Sequence, residues 1–177
     1  MRTLTGAVVG SFVFFWLAPG MVAGVGPYLV SGWRVGPPLL GFSSGRILGG
    51  VVAVAGLVSL VECFGRFAIK GLGTPAPIAP TERLVVSGLY RHVRNPIYVA
   101  VVALILGQAL LLGSVALVGY SVVTWLLFHA FVMAYEEPTL RRQFGSSYDD
   151  YSANVPRWWP RMTPWRDASS ALRRKDD

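Results

Sequence analysis

The chain has 177 residues, 53% of them hydrophobic and only 14% charged, with a mean hydropathy of +0.50. That balance is too apolar and too unevenly patterned for a soluble domain and predicts a small multi-pass membrane protein. The formal charge of +7 gathers beside apolar segments with no recognised nucleic-acid module, which argues against nucleic acid as a partner.

The first apolar run extends from Leu4 to about Val30. Arg2 before it and Met21-Val22-Ala23 within it imitate a signal peptide, but a retained anchor is expected. Pro19-Gly20 should kink this run or split it in two, because proline removes a helical hydrogen bond and crowds the preceding turn. The second run, Ile47 to Phe67, carries Gly49 and Ala53 at the small-xxx-small spacing that lets helices approach closely. It also holds Glu62 four residues before Arg66, a favourable ion-pair spacing that competes with a chemical role for Glu62. Cys63 is the only cysteine, so no intramolecular disulfide is possible and its expected role is packing.

Three prolines between Gly71 and Pro80 exclude a helix. From Thr81 to Gly88 the apolar character resumes, as an extended segment offering backbone groups to a planar ligand or as a loop lying on the membrane. Asn95 is a favoured N-cap and Pro96 a favoured first helical residue, so a third helix should run from Pro96 to Leu112. Gly113-Ser114 leaves room only for a tight turn, and Val115 to Tyr135 forms the fourth run, antiparallel to the third. The expected fold is an all-α membrane protein with four, or five, transmembrane helices and a C-terminal cap.

Arg34 and Arg46 fall in the first loop of this four-span arrangement. The other Lys and Arg residues, from Arg2 through Arg66, Lys70, Arg83, Arg91 and Arg94 to the eight between Arg141 and Lys175, fall on the opposite side. The positive-inside rule then makes that side, both termini and the polar clusters cytoplasmic. Basic residues there alternate with Trp158, Trp159 and Trp165, a pattern suited to anionic lipid headgroups.

Two polar clusters stand at helix ends: GLYRHVRNPIY from Gly88 to Tyr98, and YEEPTLRRQFGSSYDDY from Tyr135 to Tyr151. In the first, the helix start together with Arg91 and Arg94 makes a site for a carboxylate or phosphate, and Tyr90 and Tyr98 supply ring faces for a cation. In the second, Glu136 lies seven residues after His129 and so shares its helix face, with Val132 and Met133 between them as an apolar approach. Glu136 and Glu137 at a helix C-terminus oppose the macrodipole, which calls for Arg141 and Arg142 or a bound cation to compensate. His129 lies inside the apolar run, where a histidine is either satisfied in the core or catalytic. No metal site is expected.

Taken in order, GTPAPIAPTERLVVSGLYRHVRNPIY, an apolar hairpin, and FHAFVMAYEEPTLRRQFGSSYDDYSANVPRWWPR resemble the isoprenylcysteine carboxyl methyltransferase and phospholipid methyltransferase family of integral membrane enzymes. The resemblance covers about Gly71 to Arg161. It implies one membrane methyltransferase domain, with N-terminal helices over 1–70, a cofactor-binding and catalytic region over 71–161 and a polar tail over 162–177. It further implies S-adenosyl-L-methionine as cofactor, contacted by Arg83, Leu84, Val85, Tyr90, Arg94, Asn95, Pro96, Ile97, Tyr98 and Glu136. Glu136 would pair with the cofactor ammonium, and the helix start with Arg94 would receive its carboxylate.

Two positions depart from the family pattern. Asn95 stands where many members have histidine, so hydrogen bonding and capping transfer but imidazole chemistry does not. Val132 stands where the prenylcysteine enzymes carry an arginine for the substrate carboxylate, so the resemblance does not extend to that substrate. The implied reaction is methyl transfer to a lipophilic carboxylate or amine arriving from the bilayer, with Glu62 or His129 as base where a proton must leave. A sterol-type membrane reductase using NADPH and a non-catalytic four-span scaffold are the rival classes.

Overall fold

A computed structural model describes residues 10, 12–70 and 84–166. The helical runs are α1 (Phe12–Ser31), α2 (Ser44–Lys70), α3 (Pro96–Leu112), α4 (Val115–Phe144) and the short α5 (Ser146–Asn154). Single 3-10 turns occupy Leu39–Gly41 and Gly88–Arg91, and no strand occurs among the described residues. Three runs, Phe12–Ser31, Ser44–Arg66 and Val115–Phe144, are long and apolar enough to cross a membrane, and α3 is a shorter apolar helix beside them. The protein is an all-α membrane protein of about four spanning helices.

Proline does not split the first run. Pro19 cannot donate to the carbonyl of Phe15, and α1 adopts π geometry over Trp16–Val25, ending where Gly26 N–H bonds to the Met21 carbonyl five residues back. The helix widens instead of breaking. Two side chains from neighbouring helices tie down its carbonyls: Tyr120 Oη donates to Val22 O at 2.9 Å and Gln108 Nε2 to Ala23 O at 2.8 Å.

The α2–α3 pair has the most extensive packing in the bundle. A Cβ added to Gly107 would come within 2.5 Å of Ala53 N, and one on Gly49 within 2.8 Å of Gly107 O, so the two backbones meet where side chains are smallest. Lipid tails are as apolar as leucine, so such close contact, rather than transfer out of water, is what holds spanning helices together. Around this seam Leu60, Phe64, Ala100, Val101 and Ile105 form the core, joined by Ala23 of α1. Cys63 is also fully buried, while Ile47, Val51, Val54 and Val58 of α2 stand exposed on an outer, lipid-type face.

Pro96 opens α3 as expected, and Ser114 caps α4 by accepting from Leu117 N at 3.3 Å. One end of the bundle is closed by Gly36 N donating to Leu112 O at 2.8 Å and Arg46 Nη2 to Gly36 O at 2.6 Å. At the other end the segment Val155 to Trp165 straps across the turn before α3. Arg94 N donates to Pro156 O, Arg161 N to His92 O and Trp165 N to Arg91 O, each at 2.9 Å. Tyr151 Oη adds a bond to Tyr90 O at 2.7 Å.

Candidate active site

Beneath that strap lies a cavity of about 200 Å³ lined by Tyr90, Arg94, Asn95, Ile97 and Tyr98 from the turn and the start of α3. Glu136, Phe128 and Phe131 line it from α4, and Phe14, Ala18, Pro19 and Val22 from α1. The contribution of α1 is wholly apolar. The polar groups come from the two clusters that the sequence places at helix ends.

The backbone of α4 explains why Glu136 reaches the cavity. Pro138 has no N–H for the Ala134 carbonyl, and the helix passes through a π turn at Val132–Glu136, closed by Glu137 N–H bonding to Val132 O. In an uninterrupted α-helix each residue turns about 100°, which would align Glu136 with His129; the wider π turn advances each residue less and rotates Glu136 off that face. His129 consequently faces elsewhere. Its Nδ1 accepts from Trp158 Nε1 at 3.0 Å, and its ring stacks on Trp125 with centroids 5.4 Å apart.

The expectation that the two carboxylates end a helix is corrected by the same geometry. The helix continues to Phe144, with Glu137 in the first turn of its last α-helical stretch. Glu136 Oε2 accepts from Tyr98 Oη at 2.7 Å, and Glu136 pairs with no cation among the described residues. Glu137 is bound on both oxygens by Arg157, Nε to Oε1 at 2.6 Å and Nη2 to Oε2 at 2.9 Å, while Arg94 Nη1 approaches Oε1 at 3.2 Å. Arg141 and Arg142 are not its direct partners. Arg141 bonds to Asp149 at 2.7 Å and Arg142 to Thr139 at 3.2 Å.

Asn95 also differs from expectation. It precedes α3 but makes no side-chain cap; its Nδ2 donates to Arg157 O at 3.2 Å, because the strap, not the helix start, lies within its reach. Pro96 is buried behind it as the first helical residue. Tyr90 is buried, and burial raises its phenol and that of Tyr151 well above the ordinary tyrosine range, so both keep their protons at neutral pH. Tyr98 also packs its ring on Phe128, with centroids 4.6 Å apart.

The remaining sequence candidates lie outside the cavity lining. Glu62 is ion-paired to Arg66 beneath Gly88, whose φ of +58° and lack of Cβ let the turn sit directly on that pair. Leu84 packs against Tyr148, Tyr151 and Val155, and Val85 follows it in the same non-helical segment. Val132 is fully buried in the core and Met133 is half-exposed, and neither lines the cavity. Arg83 and the proline-rich stretch 71–80 lie outside the described residues. Sequence reasoning missed the α1 wall and Arg157. Pro19 was the available signal for the first, and the basic VPRWWPR segment for the second.

These residues can hold a zwitterion. The Glu136 carboxyl accepts from a neutral hydroxyl, and Arg94 offers a buried Nε with no hydrogen-bond partner. Tyrosine and phenylalanine rings supply the surrounding surface.

Parts of the chain are similar to known proteins. The chain is 39% identical over 74 residues to a protein-S-isoprenylcysteine O-methyltransferase of Schizosaccharomyces pombe, covering 41% of this chain and 31% of that protein. It is 33% identical over 76 residues to protein-S-isoprenylcysteine O-methyltransferase B of Arabidopsis thaliana, covering 42% and 38%. A third similarity, 30% over 92 residues, is to the nickel-cobalt-cadmium resistance protein NccN of Alcaligenes xylosoxydans xylosoxydans, covering 52% and 43%. The chain thus matches less than half the length of each of these curated relatives, and no solved structure matches it. The phospholipid methyltransferase family model matches residues 45–147, from the start of α2 into α5, across the first polar cluster and most of the second. The chain belongs to the phospholipid methyltransferase family.

Proposed function

We propose that this protein is a membrane-embedded methyltransferase that uses S-adenosyl-L-methionine to methylate a lipophilic acceptor, a carboxylate or an amine, entering from the bilayer. The observation that carries this reading is the cavity in which Glu136, Arg94, Tyr90 and Tyr98 meet an apolar wall from α1. A zwitterionic amino-acid group needs one acidic and one basic partner together, and Glu136 and Arg94 both line the cavity. Family membership and the names of the two isoprenylcysteine O-methyltransferases it resembles support the reaction class.

In this reading Glu136, held by Tyr98, receives the ammonium of the cofactor, and Arg94 receives its carboxylate. When bound, the cofactor would supply a methyl group activated on a sulfonium. Tyr90, Tyr98 and Phe128 line the cavity and would offer aromatic surface to that cation, and Asn95 keeps the turn before α3 fixed to the strap. Phe14, Ala18, Pro19 and Val22 keep the acceptor side dry, which favours positioning as the source of rate. Glu62 and His129 are engaged by Arg66 and Trp158 and are assigned no proton transfer. The polar end carries Arg66, Arg91, Arg94, Arg157 and Arg161 against Arg34 and Arg46 at the other, which supports a cytoplasmic catalytic face and cytoplasmic termini.

Two measurements test the proposal. Thermal-shift titration of the purified protein should show stabilisation by S-adenosylhomocysteine and none by NADPH. Stabilisation by NADPH alone would favour the reductase class, and response to neither would favour a scaffold. Native membranes given methyl-labelled S-adenosyl-L-methionine should then acquire label in one lipid-soluble product, which identifies the acceptor.

A further inference from the structure

Three charged groups, Arg157, Glu137 and Arg94, meet beside the cavity, and of them Arg94 enters its lining. Arg157 occupies both oxygens of Glu137 in a bidentate fork, and Arg94 approaches that carboxylate less closely, Nη1 to Oε1 at 3.2 Å. One carboxylate cannot neutralise two guanidinium groups, and a positive charge is left over. Its carrier on the cavity side is Arg94, which lines the cavity and has a buried, unpartnered Nε. Arg157 lines no part of the cavity.

We propose that Arg157 is a positioning residue: by holding Glu137 it leaves Arg94 turned to the cavity, with its charge available to a ligand carboxylate. Without Arg157, both Glu137 oxygens would open to Arg94, which would close a neutral fork with Glu137 and withdraw from the ligand. The Arg157 carbonyl that accepts from Asn95, and the Pro156 carbonyl that accepts from Arg94 N, are backbone groups that a side-chain substitution leaves in place. The inference rests on the reading of the cavity as the S-adenosyl-L-methionine site.

The test compares two probes on the full-length purified protein by calorimetric titration. S-adenosylhomocysteine carries the carboxylate; 5′-methylthioadenosine keeps the nucleoside and thioether but lacks it. Arg157→Gln should weaken S-adenosylhomocysteine about tenfold and 5′-methylthioadenosine less than about twofold. Removing the partner as well, in Glu137→Gln/Arg157→Gln, restores the surplus charge on Arg94 and should recover S-adenosylhomocysteine affinity to within about threefold of wild type. Glu137→Gln alone should bind S-adenosylhomocysteine at least as tightly as wild type, a result that does not depend on the folding of Arg157→Gln. Equal weakening of both probes, a double variant no better than the single, or a loss in Glu137→Gln overturns the inference while the cofactor reading stands. Wild-type protein that binds neither probe overturns the cofactor reading, and this inference with it.

Discussion

The two π-helical segments form opposite kinds of wall around one cavity. Trp16–Val25 in α1 contains its proline, whereas Val132–Glu136 in α4 precedes Pro138 by two residues, and in both a missing N–H sets the wider register. The first turns Ala18, Pro19 and Val22 to the cavity; the second turns Glu136. The backbone device is shared, and the chemistry it presents is not. Its carbonyls bonded by Tyr120 and Gln108, α1 acts as a tethered apolar surface suited to a lipid chain. The α4 turn carries a carboxylate whose neighbour, Glu137, is fully occupied by arginines, so a single acidic group remains for a ligand.

Neutralising the α4 wall should have the largest effect. Glu136→Gln removes the charge opposite a ligand ammonium and is expected to cost about 2 kcal/mol, roughly thirtyfold in the Kd of S-adenosylhomocysteine. Glu137→Gln should show no such loss in the same titration. Matching losses would mean that the two carboxylates are not divided as described.

Filling the α1 wall should separate acceptor from cofactor. Ala18→Phe adds bulk where α1 meets the cavity, and the acceptor space it takes is expected to lower methyl transfer about tenfold, about 1.4 kcal/mol in activation free energy. Cofactor affinity should remain within about twofold of wild type. Unchanged transfer to the labelled native lipid would place the acceptor route away from α1.

Restoring the α register of α4 should trade function for stability. Pro138→Ala supplies the missing N–H and removes a residue that costs about 3 kcal/mol in a helix interior, so Tm should rise. Glu136 then rotates toward the His129 face, and S-adenosylhomocysteine affinity should fall about fivefold. A rise in Tm with unchanged affinity would show that the π turn does not aim Glu136.

The smallest effect is expected at the tether of α1. Tyr120→Phe deletes the bond to Val22 O and should lower stability by about 1 kcal/mol, read as a small drop in Tm, with cofactor affinity unchanged. A loss of affinity instead would tie the α1 register to the cofactor side.

Local chemistry made much of this protein legible from sequence. Apolar length marked the spans, Pro96 marked the start of α3, the Gly113-Ser114 pair marked the turn, and the Glu62–Arg66 spacing marked an ion pair that forms. The two polar clusters were visible as clusters because polar groups between membrane-length runs have few structural alternatives. Which way those groups face was decided by the tertiary structure. Helical periodicity assumes uniform winding, so it aligned Glu136 with His129 and missed the π turn that separates them. Choices among competing partners were also long-range: Asn95 bonds to Arg157 rather than capping its own helix, and Glu137 takes Arg94 and Arg157 rather than the nearer Arg141. A sequence lists every donor and acceptor on the chain. Only the folded strap brings Arg157 close enough to Glu137 to decide which of two adjacent carboxylates stays open to a ligand.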